Sequence, residues 1–217
     1  MAIVLLSGGQ DSTTALLWAL RELREPLYAL TFLYGQRHAI EIQAAKQIAE
    51  KLRVAHYVLD LGALWESLAV PSALTREQPI EMLPTGLPST FVPGRNLFLL
   101  SAAAVWGYPR GETSLIMGVN QIDYSGYPDC RAPFLEAAEE ALKYALDSPI
   151  RIIAPFLFWD KARLWQYAKE IGYLDFIVEE THTCYLGERA IRHVWGYGCG
   201  TCAACHLRKV GYEQAFG

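Results

Sequence analysis

Ser7-Gly8-Gly9-Gln10-Asp11-Ser12-Thr13-Thr14 follows a short apolar run, Ala2 to Leu6, and precedes a helical pattern of Ala15, Leu16, Trp18, Ala19, Leu20 and Leu23. Strand, Gly-rich turn, helix: this order aims several backbone N–H groups at one point, where the helix start carries partial positive charge. Such a point suits a phosphate. The two glycines let a ligand approach the backbone closely, and Ser7, Ser12, Thr13 and Thr14 add hydroxyls. Asp11 is the odd member, because a carboxylate repels phosphate unless a cation lies between them. It reads as a Mg²⁺ partner or as a helix cap. The spacing is not that of a Walker A loop, whose lysine is absent, nor is it GxGxxG.

Outward from the turn, the first sixty residues read β-α-β-α-β. Leu27 to Leu33 is apolar on both faces, as a buried parallel strand is. Ile40, Ala44, Ala45, Ile48, Ala49 and Leu52 form one helical stripe, and His56 to Leu61 is a third strand. Residues 70 to 93 carry five prolines and read as a long loop, a lid or binding segment. Leu97 to Trp106 reads as a buried helix, Thr113 to Val119 as the fourth strand and Ala132 to Leu146 as a helix. Ile150 to Phe156 is the fifth strand, and Asp160 to Ile171 a further amphipathic helix. The pattern predicts a Rossmann-like, parallel five-stranded sheet flanked by helices. Ligands of such sheets bind outside the carboxyl ends of the strands. Four polar segments share that edge: Ser7 to Thr14, Tyr34 to His38, Arg95-Asn96, and Asn120 to Arg131.

The chain has 217 residues, 52% of them hydrophobic, which suits one domain or one domain with a small appendage. A net charge of −4 argues against a dedicated nucleic-acid binder. No apolar run reaches membrane-spanning length, and the short N-terminal run lacks the charged region of a signal peptide. The expected location is the cytoplasm, where the five cysteines stay reduced.

Four of them, Cys184, Cys199, Cys202 and Cys205, are spaced C-x14-C-x2-C-x2-C. That spacing lets the thiolates share one tetrahedral, structural Zn²⁺, with an iron–sulfur cluster as the alternative. The domain reading is a nucleotide-binding α/β unit over 1–172 and a zinc-binding segment over 173–217 packed on it. Cys130 stands apart, a small buried residue or a thiol activated by Arg131.

The SGGxDS turn looks like the signature of PP-loop ATP pyrophosphatases. Together with Tyr34-Gly35-Gln36-Arg37-His38, Val92-Pro93-Gly94-Arg95-Asn96, Asp123-Tyr124-Ser125-Gly126-Tyr127-Pro128-Asp129-Cys130-Arg131 and the cysteine tail ending in Leu207-Arg208, it resembles the 7-cyano-7-deazaguanine synthase family over nearly the whole chain. One departure is Thr181-His182-Thr183 before Cys184, where that family often has Trp-Ser.

The resemblance implies an ATP-dependent ligase of the queuosine precursor pathway that joins ammonia to 7-carboxy-7-deazaguanine. It further implies ATP on Leu6, Ser7, Gly8, Gly9, Gln10, Asp11, Ser12, Thr13, Thr14, Ala15 and Leu16, with Mg²⁺ at Asp11. Arg37 and Arg95 would stabilise phosphate charge. Asp123, Tyr124, Tyr127 and Asp129 would receive the guanine-like substrate. A homodimer and the absence of direct nucleic-acid binding complete the expectation. Two other functions fit parts of the sequence: a PP-loop enzyme that modifies tRNA directly, and a non-catalytic ATP-binding zinc module.

Overall fold

Alternation along the central strand sets the architecture. In the computed structural model, which describes residues 2–36, 40–70, 72–75, 81–84, 86–121 and 127–217, all four residues of β1 (Ala2–Leu5) are buried. Ile3 and Leu5 point to one face of the sheet, and Ala2, Val4 and Leu6 to the other. A strand with no polar side is stable only with both faces covered, as in a parallel α/β sheet.

Beside β1 lie β2 (Leu27–Leu33) and β4 (Ser114–Met117); β3 (Ala55–Asp60) and β5 (Arg151–Ile153) form the edges. The order is β3-β2-β1-β4-β5, and every pairing is parallel. One face packs on α1 (Gln10–Glu22), α2 (Ile40–Lys51) and α6 (Lys161–Glu170) through Leu16, Ile48 and Leu164. The other packs on α4 (Arg95–Gly107) and α5 (Ala132–Leu146) through Leu100 and Leu135.

The expected strands form in the expected order along the chain, but β4 and β5 are shorter. β5 leaves the sheet after Ile153, opposite Ile116 of β4, where the residues beyond it turn, with the Leu157 N–H bonded to the Ala154 carbonyl. Three helices escape the pattern of the sequence: α3 (Gly62–Leu68), which buries only Trp65, α7 (Leu174–Glu180) and α8 (Ala203–Phe216). Between α3 and α4, the described part of the proline-rich loop is tied by Ala73 N–H to Ser89 O (2.8 Å) and Ser89 N–H to Glu81 O (2.7 Å).

The C-terminal segment packs on α1 and α6. Leu17 and Trp165 share a cluster with Ile177, Trp195, Cys184 and Cys205. Its regular structure is limited to α7, the two-residue strands β6 (Arg192–His193) and β7 (Gly196–Tyr197), and α8 (Ala203–Phe216). Among the described residues no helix is long and apolar enough to cross a membrane.

Candidate active site and metal centre

The turn after β1 is held from inside and from outside. Ser7 N–H donates to Ser12 Oγ (3.1 Å), the two serine hydroxyls lie 2.9 Å apart, and Gly9 N–H donates to Ser7 Oγ (3.3 Å). Gly8 has a φ of +84°, and a Cβ there would meet the Glu41 carbonyl oxygen at 2.4 Å and the Ala45 nitrogen at 2.8 Å. Only glycine fits, because the position combines a left-handed backbone with direct pressure from α2. The Gly8 carbonyl accepts the His182 N–H at 2.9 Å, which ties the cysteine segment to the turn.

The turn opens on a cavity of about 280 Å³ at the carboxyl edge of β1, β2 and β4. Leu6, Ser7, Gly9, Gln10, Asp11 and Ser12 form one wall. Thr13, Thr14, Ala15 and Leu16 lie deeper: Thr14 donates to Gln10 O, and Ala15 and Leu16 are core residues. The helix that begins at the turn buries them against the sheet.

Tyr34, Arg95 and Tyr127 line the opposite side. The Arg95 guanidinium lies 5.9 Å from the Tyr34 ring centre and 5.8 Å from that of Tyr127. Burial works against its charge, but Tyr34, Tyr127, Cys130 and Asp129 outweigh burial and hold its pKa above the ordinary arginine value. Tyr127 is fixed by a 2.7 Å bond between its hydroxyl and that of Thr90, and its ring lies 5.6 Å from that of Phe91. Arg37, Asp123 and Tyr124 lie outside the described residues.

Asp129 does not line the cavity. Its Oδ2 accepts the Asn96 N–H (2.9 Å) at the start of α4, and Asn96 Nδ2 donates back to the Asp129 carbonyl (2.9 Å) and to Cys130 Sγ (3.3 Å). An orphan N–H at a helix start attracts a carboxylate, so this oxygen is committed to holding Arg95 in place. Cys130 is buried, and burial pushes its thiol pKa up to about 11.

Glu41 and His182 line the cavity and escape the reading of the sequence, as does Lys161, which reaches the lining residue Asp11 without lining the cavity itself. Glu41, in the first turn of α2, has its carboxyl pushed up to about 7 by burial, against the pull of Arg95. His182 is fully buried, and burial lowers it to about 4, so the imidazole is neutral at ordinary pH. Both its ring nitrogens, and both amide atoms of Gln10, have no hydrogen-bond partner among the described residues. Buried polar atoms left this way cost about 1–3 kcal/mol each; on the wall of a cavity they offer donors and acceptors to a ligand. Lys161 is the third, reaching Asp11 with Nζ 2.6 Å from each carboxylate oxygen. The departure before Cys184 is the one available signal for His182; the others carry none.

At the far end of the His182 segment, Cys184, Cys199, Cys202 and Cys205 place their sulfurs within 4.8 Å of one another. Four thiolates at about 2.3 Å from one tetrahedral zinc would stand about 3.8 Å apart, and the Cys199–Cys205 distance is 3.9 Å. Backbone N–H groups of Thr201 and Cys202 point at Cys199 Sγ (3.4 and 3.3 Å), and that of Cys199 at Cys184 Sγ (3.4 Å). Such donors stabilise thiolate charge. Side-chain hydrogen bonds from Cys202 and Cys205 hold the Cys184 thiol far below the ordinary range. The four can bind a metal ion, which would replace those shared protons.

A parallel sheet of this order, with a Ser-Gly-Gly turn opening the helix after its central strand, defines a PP-loop protein. The NH3-dependent NAD synthetase from Campylobacter jejuni shares the fold, with a TM-score of 0.51 at 14% identity over 81% of this chain and 66% of that one. Within this class the chain belongs to the QueC family, described as queuosine biosynthesis protein QueC, whose model matches residues 1–216. A relative from Hyphomonas neptunium is 48% identical over 98% of this chain and 93% of its own length, and one from Bacillus subtilis is 47% identical over 98% and 94%. Both are named 7-cyano-7-deazaguanine synthase, so the chain is that of an enzyme, a synthase of queuosine biosynthesis.

Proposed function

We propose that this enzyme converts 7-carboxy-7-deazaguanine, ammonia and ATP into 7-cyano-7-deazaguanine through adenylylated intermediates. The observation that carries the reading is a single cavity joining the Ser-Gly-Gly turn to the Tyr34–Arg95–Tyr127 wall. One end suits a polyphosphate, the other a planar base beside a buried cation.

A carboxylate is a poor electrophile because hydroxide leaves badly. Attack of a carboxylate oxygen on the α-phosphorus expels pyrophosphate and makes that oxygen part of AMP, a good leaving group. Ammonia then displaces AMP to give the amide. A second transfer to the amide oxygen, followed by loss of AMP and two protons, gives the nitrile. Ser7, Gly9, Gln10 and Ser12 would hold the phosphates, and Arg95 would stabilise charge developing on them. Mg²⁺, held at Asp11, would neutralise phosphate charge during transfer. Tyr127, with Tyr124 and Asp123, would receive the base; Arg37 would join Arg95 at the phosphates.

The metal of the cysteine centre is, on this reading, a structural zinc that organises residues 173–217. The protein acts in the cytoplasm as a homodimer, without direct contact to nucleic acid.

The test is an incubation with ATP, Mg²⁺, ammonium and 7-carboxy-7-deazaguanine, read by mass spectrometry. The expected products are the nitrile, AMP and pyrophosphate. Amide alone would reduce the enzyme to an amide synthetase, and ADP with phosphate would overturn the adenylylation scheme.

A further inference from the structure

Turning ammonia into the nitrogen of a nitrile removes all its hydrogens, so a site that does this needs a group to take protons. Among the described residues the cavity wall carries two carboxylates, Asp11 and Glu41. Asp11 is committed, with both oxygens 2.6 Å from Lys161 Nζ. Asp129, outside the wall, is committed too, its Oδ2 accepting the Asn96 N–H. Glu41 is uncommitted: Arg95 and Cys184 act on its carboxyl through space, not through hydrogen bonds. Its side chain is half-buried and lines the cavity. The other titratable groups of the wall suit the task less well. His182 has no exposed surface through which to pass a proton on, and burial holds Tyr34 and Tyr185 protonated.

Glu41 also stands in the right place. It lies in the first turn of α2, where its backbone packs on Gly8 so closely that no Cβ fits there. Its carboxyl is coupled by charge to Arg95 of α4 and to Tyr34 after β2. Backbone at the phosphate end and carboxyl towards the base end, the residue spans the join at which the proposed chemistry brings the substrate carboxyl to the α-phosphorus. Burial outweighs the pull of Arg95 and raises this carboxyl to about 7. Near neutral pH it can therefore both take a proton and give it up, as a base used several times in one turnover requires.

We propose that Glu41 is the general base that takes protons from the substrate nitrogen, above all as the amide is dehydrated to the nitrile. The proposal rests on the function proposed above. In amide formation the ammonia lone pair makes the C–N bond, the C–O bond breaks with its electron pair on AMP, and one N–H proton passes to Glu41. Attack of the amide oxygen on a second α-phosphorus expels pyrophosphate and leaves a C=NH2⁺ group. One of its protons passes to Glu41. The C–O bond then breaks with its pair on AMP, the nitrogen lone pair completes the triple bond, and the last N–H proton leaves. Between transfers Glu41 returns its proton to solvent.

The test uses the full chain with ATP and Mg²⁺, supplied either with the acid and ammonium or with the amide alone, and reads products by mass spectrometry. Glu41→Gln is expected to slow nitrile formation from the amide about a hundredfold or more, so that amide accumulates when the acid is supplied. Its affinity for inorganic pyrophosphate, read by calorimetry, should be kept. Nitrile formation from the amide by the parent should rise with pH through about 7, and the residual rate of Glu41→Gln should lack that rise. Glu41→Asp, which keeps a base one methylene further back, should recover part of the rate. Nitrile made by Glu41→Gln at the parental rate would overturn the proposal. So would equal losses of nitrile formation and pyrophosphate affinity, the mark of a purely structural role in α2. If Glu41→Gln fails to melt cooperatively, the parent's pH profile and the Asp variant decide, and a flat profile overturns the proposal. A parent that makes no nitrile from acid or amide would instead sink the proposed function.

Discussion

The Ser-Gly-Gly edge of the sheet and the cysteine segment are built on opposite principles. The edge rests on β1, whose four residues are all buried, and on apolar packing over both sheet faces. Its polar atoms are left for a ligand: those of Gln10 and His182 have no partner among the described residues. The cysteine segment has two-residue strands and shares its apolar cluster with α1 and α6. It is held by four thiols, by Arg208 and by the stacking of His193 on Trp195 at 4.2 Å. One region spends its polar groups on function, the other on its own structure. They meet where His182 N–H reaches the Gly8 carbonyl, so order in the second is transmitted to the first.

The contrast breaks if the segment survives without its metal. Cys202→Ser should lose the bound metal and several kcal/mol of stability, since metal binding at such sites is folding energy. Hydrogen exchange should rise through residues 184–205 while the β1 amides stay protected. Unchanged metal content and melting temperature would refute the metal centre. Next in size is Gly8→Ala, where the added carbon meets backbone of α2 at a positive φ. A loss of about 3 kcal/mol or more, with nucleotide binding abolished, is expected from strain that neither backbone can relieve. Full nucleotide affinity in that variant would mean that the turn tolerates a shifted α2.

Arg208 sharpens the comparison from the other side. Its Nε donates to Trp195 O (2.8 Å), Nη1 to the hydroxyls of Thr181 (2.7 Å) and Thr183 (2.8 Å), and Nη2 to Ile177 O (2.9 Å). Burial lowers its pKa to about 10, still far above neutrality. Arg208→Met should cost about 3 kcal/mol by leaving several buried acceptors unpaired, and Arg208→Lys should not recover it, because an ammonium lacks the planar fork. Thermal unfolding of both variants, with metal content held equal, checks this; a lysine variant as stable as the parent would show that charge alone suffices.

Legibility in the sequence follows the same division. The turn, the strands and the four cysteines are readable because each depends on residues close in sequence: a motif, an unbroken apolar run, a spacing. Glu41, His182 and Lys161 are not, because the fold brings the first two to the cavity, and the third to Asp11, from places far apart in the sequence. For Asp129 the family resemblance implies a substrate contact, and only the structure shows that one of its oxygens is taken by the Asn96 N–H. Nothing in a seven-residue stretch such as Leu174 to Glu180 announces a helix; α7 exists because Ile177 and Val178 bury against the metal segment. Short elements are made by their surroundings, and periodicity needs length to speak.

An effect that appears only as pH changes lies at Glu41, where the two principles meet in one residue. Burial raises its carboxyl from 4.5 to about 7, Arg95 pulls it down, and Cys184 of the metal segment pushes it up. Between those two pH values the folded chain holds a proton that the unfolded chain has released. Unfolding then sheds protons, so stability from this group is present below about pH 4.5 and falls as pH rises towards about 7. Over that window the loss is about 1.4 kcal/mol per pH unit at most, and relaxation around a charged Glu41 lowers that figure. Glu41→Gln removes the titration, so its stability curve should lie above that of the parent at pH 8 and converge with it near pH 4. Parallel curves across that range would mean that Glu41 keeps its charge by leaning on Arg95, and that the cavity is better solvated than its walls suggest.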